Sequence, residues 1–261
     1  MKLTRLWNSI WPPLVAVILF LIIWQAATLL FDIDKWILPS PADIAKEAAA
    51  GAAGLWEHTL ATLRLILLGF AIGTAVGLAV AFSLHYVPFL KSSLYPLLIL
   101  SQNVPTIALA PLLMIWFGFG ILPKIIVITL VCFFPVAVAA MDGLARTDRV
   151  MFDYMRMAGA SKGQIFRKLE VPHALPSILS GVKIAATYSV MGAVIAEWVG
   201  ADKGIGYYMM LQKSSFRTDK IFVAIAIIVA LSLAMFALIA LLEKWLVRYA
   251  PQDRDKQKGE A

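Results

Sequence analysis

An all-α membrane protein with six transmembrane helices is the fold class this sequence predicts, and three observations predict it. Hydrophobic residues make up 61% of the 261 and the mean hydropathy is +0.82, whereas a water-soluble domain carries about 45–50% apolar residues. The apolar residues gather into six blocks, 12–31, 63–84, 94–117, 121–141, 175–199 and 221–242, each close to the roughly 20 residues a helix needs to cross the hydrocarbon. The ten-residue alternation of a membrane barrel is absent. Lipid offers the backbone no hydrogen-bond partner, so each crossing is expected to be a helix.

The elements follow in order. Lys2 and Arg5 precede the apolar run Leu14 to Leu30, which exceeds the roughly 7–15 residues of a signal-peptide core. Phe31-Asp32-Ile33-Asp34 carries no small-x-small cleavage pattern, so a retained first span is expected. In the connection 32–60, Ser40-Pro41-Ala42-Asp43 reads as a helix start. Serine caps, proline suits the first helical position and aspartate meets the positive end of the dipole. The Ala-rich stretch to Ala53 then forms a short surface helix. Gly69, Gly73 and Gly77 in the second span form a small-xxx-small repeat for close packing, within the subunit or across a dimer. In the third span Pro105 and Pro111 predict a kink. Gln102 and Asn103 sit beside it as uncharged polar groups, suited either to lining a pathway or to bonding between helices. Cys132, in the fourth span, reads as a buried, inert thiol.

The connection 142–174 is longer and mixed in character. Met151, Phe152, Met155, Ile165, Phe166 and Leu169 alternate with Arg156, Lys162, Arg167 and Lys168. Gly159-Ala160 interrupts it, and Ser161 followed by Gln164 is a capping-box pattern. Two short helices hinged at Gly159 are expected, lying on the membrane or a partner, with Pro172 and Pro176 ending the second before the fifth span. Glu197 and Trp198 close that span, followed by Gly200 and the Gly204-Ile205-Gly206 turn. They are candidates for a gate or docking rim at the outer mouth, or for an interfacial aromatic anchor with a tight turn. A polar tail, 247–261, follows the sixth span.

The net charge of +7 does not point to nucleic acid, because the basic residues lie in short connections between apolar blocks. With the N-terminus inside, most of the 23 basic residues fall on the cytoplasmic side, including the group from Arg146 to Lys168. Both termini are therefore expected in the cytoplasm, although Lys203, Lys213, Arg217 and Lys220 crowd the last outer loop.

Several chemistries are disfavoured. One cysteine allows no disulfide, and His58, His85 and His173 are scattered without a His-Glu-x-x-His motif, so no metal site is expected. Gly159-Ala160-Ser161-Lys162-Gly163 matches the hydrolase elbow Gly-x-Ser-x-Gly but lacks its strand–turn–helix setting. No Gly-x4-Gly-Lys-Ser/Thr motif occurs, so this chain is not expected to hold its own ATPase site. The centres of the spans are nearly free of ionisable groups, against the relay a proton-coupled carrier needs. A secondary transporter nonetheless stays as the rival from another class.

The order Asp153-Tyr154-Met155, three residues, Gly159, nine residues, Leu169-Glu170-Val171-Pro172 resembles the EAA loop of permeases in binding-protein-dependent ABC importers. The family pattern is Glu-Ala-Ala, three residues, Gly, nine residues, Ile-x-Leu-Pro. Gly159 and Pro172 fall on its glycine and proline, while Tyr154 and Met155 replace its alanines. Ile37-Leu38-Pro39-Ser40-Pro41, Ser101-Gln102-Asn103-Val104-Pro105, Ala108 to Leu112 and Ile115 to Gly120 resemble the permeases for sulfonates, taurine, nitrate and thiamine pyrimidine precursors. Pro123-Lys124-Ile125, Phe133-Phe134-Pro135 and Met141-Asp142-Gly143-Leu144 look nearest to the hydroxymethylpyrimidine branch.

The resemblance implies a type I importer permease, with an N-terminal arm, first span and surface helix at 1–55 and the permease domain at 56–246. It implies a coupling helix in the loop, with Asp153, Arg156, Ala158, Gly159, Ala160, Ser161 and Lys162 against an ATPase subunit. Two peripheral ATPase subunits would bind the ATP, an extracytoplasmic binding protein would deliver solute, and a second permease copy, as a homodimer, would complete the pathway. Gln102, Asn103, Pro105, Glu197 and Trp198 are the candidates for pathway or gate. The expected solute is an aminopyrimidine thiamine precursor, with sulfonate, taurine or nitrate as the alternative.

Overall fold

A computed structural model describes residues 2–246, so the polar tail lies outside the described residues. Every regular element among them is helical: α1 (Lys2–Leu30), α2 (Pro41–Ala50), α3 (Ala52–Tyr86), α4 (Pro88–Ser101), α5 (Thr106–Phe117), α6 (Ile121–Ala145), α7 (Arg149–Met157), α8 (Lys162–Ile165), α9 (Val171–Trp198), α10 (Ile205–Ser214) and α11 (Thr218–Leu246). A π turn, Phe166–Glu170, joins α8 to α9. Five helical stretches are long and apolar enough to cross a membrane on their own, and α4 with α5 make a sixth, broken one.

The centre of the bundle is α6, packed between α3 and α9. Lipid tails are as apolar as leucine, so hydrophobicity does not hold spans together; close packing does. The glycine repeat of α3 supplies it. A methyl group added at Gly69, Gly73 or Gly77 would stand 2.5 Å from Ile128, 2.6 Å from Cys132 and 2.7 Å from the Phe133 carbonyl. The expected small-residue seam therefore lies within the subunit, against α6. On α6's other side, Gly181 of α9 meets Ala139 and the Pro135 carbonyl, and Gly143 of α6 meets Ala174 and Ser177. Ile66, Ile128, Val136, Cys132 and Val190 are fully enclosed in this seam. The outer helices differ: α11 and the part of α1 from Trp11 to Leu30 leave most of their apolar side chains exposed, as lipid-facing helices do.

The surface helix begins as expected, with Ser40 accepting a hydrogen bond from the Asp43 amide, but Gly51 ends it at Ala50 rather than Ala53. Two expectations need larger correction. The block 94–117 is not one span: α4 ends at Ser101, α5 starts at Thr106, and the two axes differ by 100°. Pro105 explains the site of the break. It restricts Val104 to extended geometry and brings no amide to the helix ladder, whereas Pro111 sits inside the continuous α5. Pro172 and Pro176 likewise fail to separate the loop from the fifth span, and helix runs from Lys162 to Trp198. Pro172 falls just past the π turn, in which the Val171 amide bonds to the Phe166 carbonyl, and the helix passes through it to Trp198.

Candidate functional site

The break between α4 and α5 opens a cavity of about 770 Å³, and its walls come from three elements. Ser101, Gln102, Val104 and Thr106 form the break itself; Phe133, Phe134 and Asp142 come from α6; Ile184, Tyr188 and Met191 come from α9. The α9 residues recur at spacings of four and three, one face of a helix. That face stays open although α9 is otherwise the most enclosed helix, and Tyr188 is 46% exposed. Among the described residues the lining carries flat aromatic surface, neutral hydroxyl and amide groups and one carboxylate, Asp142, with no lysine, arginine or histidine.

The sequence candidates separate here. Gln102 lines the cavity. Asn103 does not; its side-chain amide turns back to the Ile99 and Leu100 carbonyls at 3.4 Å, closing the end of α4. Pro105 sets the start of α5 without touching the cavity. Tyr188, Asp142 and Met191 were not foreseen. A tyrosine alone on an apolar helix face was the only signal, and it does not say which way the face points.

Glu197, a candidate for the gate, is enclosed rather than exposed, although it borders a small cavity with Lys124 and Asp202. It is 2% exposed, and its carboxylate accepts hydrogen bonds from the Thr62 hydroxyl and the Gly206 amide, both at 2.8 Å. Thr62 in turn accepts from the Ile205 amide, and His58 Nδ1 accepts from the Gly204 amide. A carboxyl group in a packed interior needs hydrogen-bond partners, and the Gly204-Ile205-Gly206 turn, folding over the end of α3, supplies the Gly206 amide and orients the Thr62 hydroxyl. Glycine is required at position 204: φ is +122°, and a side chain there would overlap the Glu197 carboxyl. Lys203 beside it pairs with Glu57 at 2.6 Å, a hydrogen bond that holds the ammonium pKa above its ordinary value. Trp198 stays 39% exposed at the end of α9.

At the other end of the bundle lies the loop segment. Asp148 caps α7 by accepting from the Val150 amide at 2.8 Å. Gly159, with φ +82°, turns the chain, and nothing stands within 4 Å of where its side chain would be. The Ser161–Gln164 capping box then starts α8 as expected. Asp153, Arg156, Ala158, Gly159, Ser161 and Lys162 are all exposed, and Ala160 is half-buried. Val150, Tyr154 and Met157, spaced four and three apart, place a large apolar stripe on the outer face of α7, with Met157 80% exposed. Such a stripe between polar residues marks a contact surface.

Comparison with known proteins agrees with this architecture. The family model described as binding-protein-dependent transport system inner membrane component matches residues 73–248. A probable ABC transporter permease of Haemophilus influenzae is 37% identical over 86% of this chain and 91% of its own length. The formylaminopyrimidine transport permease protein ThiX of Halalkalibacterium halodurans is 34% identical, covering 90% of this chain and 94% of its own. The riboflavin transport system permease protein RibX of Chloroflexus aurantiacus is 35% identical over 92% and 91%. Among solved structures, an inward-facing form of the MetNI methionine ABC transporter shares the fold at a TM-score of 0.60 and 21% identity, over 74% of this chain and 94% of that one. The long match overturns the secondary-transporter reading: the chain belongs to the binding-protein-dependent inner membrane components, the permeases of ABC importers.

Proposed function

We propose that two copies of this chain enclose a pathway that admits a flat, uncharged or amine-bearing ring, an aminopyrimidine precursor of thiamine. The observation that carries the substrate is the lining of the cavity at the α4–α5 break. Phe133, Phe134 and Tyr188 offer ring faces, Gln102, Ser101 and Thr106 offer neutral hydrogen-bond partners, and Asp142 offers an acceptor for an amine. A sulfonate, taurine or nitrate would bring an anion beside a carboxylate with no cation among the described lining residues to offset the repulsion. The relative named for formylaminopyrimidine transport supports the same class. Riboflavin is the second reading, because it too is a flat neutral ring system and a permease named for it is equally similar.

ATP is hydrolysed by two separate subunits, which dock on the loop segment, and a binding protein delivers the ring to the opposite end. The apolar stripe Val150, Tyr154 and Met157 with Arg156 and Lys162 beside it is the docking face. The loop end, with both termini, faces the cytoplasm, following the excess of Lys and Arg there.

The test is uptake of labelled hydroxymethyl-aminopyrimidine, riboflavin and taurine by cells with the chain, without it, and with Asp142→Lys. Loss of pyrimidine uptake on deletion, repeated by Asp142→Lys, is the expected result. Loss of riboflavin uptake alone selects the second reading. Loss of taurine uptake alone overturns the argument from the cavity lining.

A further inference from the structure

We infer that Phe166 is a positioning residue that ties the loop segment to α3, so that a push on α7 and α8 moves α3, α6 and α9 as one body. The inference rests on the coupling role proposed above and deepens it. Phe166 opens the π turn that joins α8 to α9, and such turns recur at functional positions. Its ring centroid lies 5.4 Å from Phe82 and 5.6 Å from Tyr86, both edge to face, and 5.9 Å from His85, near-parallel. At the other end of the same turn, Glu170 reaches the same helix: its carboxylate is 3.2 Å from His85 Nε2. Residues 82, 85 and 86 are one face of the last turn of α3. Two side chains of the loop segment thus grip a single helix end.

What α3 touches elsewhere gives the grip its consequence. In its middle, Gly69, Gly73 and Gly77 seat it on α6, which carries Phe133, Phe134 and Asp142 of the cavity wall. At its far end, His58 and Thr62 hold the 204–206 turn. A motion of the loop passed only through its covalent link would drive α9 and reach α3 second-hand, across the seams with α6. With Phe166 clamped, α3 follows, and the cavity wall and the far turn move with it. Close-packed seams such as these shift as units rather than deform.

The experiment uses the complete transporter, permease with its ATPase subunits and binding protein, in proteoliposomes. ATP hydrolysis and uptake of the identified solute are measured on the same preparation. Phe166→Ala is expected to assemble and hydrolyse ATP near the wild-type rate, while solute moved per ATP falls about tenfold. Phe166→Tyr, which keeps the ring, is expected to restore that ratio to within about twofold. An unchanged ratio in Phe166→Ala, or an equal loss in Phe166→Tyr, overturns the inference. Should Phe166→Ala fail to assemble, His85→Ala stands in, with a reduced ratio expected and an unchanged one overturning the inference. Arg156→Glu separates this outcome from the reading beneath it. It is expected to weaken ATPase-subunit binding itself, and normal assembly in that variant would count against the coupling role rather than against Phe166.

Discussion

Adding one methyl group at Gly77 should destabilise the permease, while adding one at Gly54 of the same helix should not. At Gly77 the new carbon would lie 2.7 Å from the Phe133 carbonyl oxygen and 2.9 Å from Val136 Cβ. The first contact is about 0.7 Å short of ordinary van der Waals distance and involves backbone, which no rotamer change relieves. The seam between α3 and α6 must open by a comparable amount, loosening Ile128, Cys132 and Val136 along its length. Overpacking of this kind costs about 1–3 kcal/mol, against roughly 1 kcal/mol gained from replacing glycine in a helix. A net loss of up to about 2 kcal/mol follows for Gly77→Ala. At Gly54, nothing lies within 4 Å, so only the propensity gain acts, reduced because the site is in the first turn. Thermal denaturation of the two purified variants in the same detergent provides the assay. The reasoning is refuted if Gly77→Ala melts at or above wild type, or if the two variants shift together.

Glu197→Ala leaves the Gly206 amide and the Thr62 hydroxyl without their acceptor, a loss of about 2–4 kcal/mol; Glu197→Gln keeps one acceptor oxygen for the two donors and should cost less, about 1–2 kcal/mol, and melting temperatures distinguish the two. Ser161→Ala removes one half of the capping box and should fray α8, seen as about fivefold faster amide exchange at residues 162–165, corresponding to about 1 kcal/mol. On the surface helix, the Lys35 ammonium and then the Ser40 hydroxyl hold the Asp43 carboxyl below the usual carboxylate range. Its folded value is thus depressed, and its contribution is complete above the unfolded pKa of 3.8 and is lost as pH falls through the folded one. Lys35 is 75% exposed on its side chain, so the effect stays below about 0.5 kcal/mol. Exchange at residues 41–50 should accelerate only below about pH 4, and Asp43→Asn should abolish that dependence.

How much of this was legible beforehand depended on the range of the interaction. The Ser40 cap, the Ser161–Gln164 box and the Gly159 turn are contacts over one to three residues, and the sequence alone determined them. The number and position of the apolar blocks were equally plain, since the length of a span is dictated by the bilayer. The spacing around Gly159 and Pro172 was enough to indicate the family. Tertiary structure decided the rest. Pro105 announced a kink, but whether it gives a bend or a 100° break depends on what fills the space beside it. Pro172 read as a helix end because the π turn ahead of it has no local signature. Glu197 looked exposed because a carboxylate at the end of a span ordinarily is. Only the 204–206 turn, folding back beneath Thr62 and His58 across more than 140 positions of chain, supplies the donors that let it be buried. The cavity residues come from four separate stretches, 101–109, 130–135, 138–142 and 184–191. An α-helix brings neighbours together every three or four residues, so it records which face is apolar; which helix that face meets is settled by packing between helices, and no spacing along one chain encodes it.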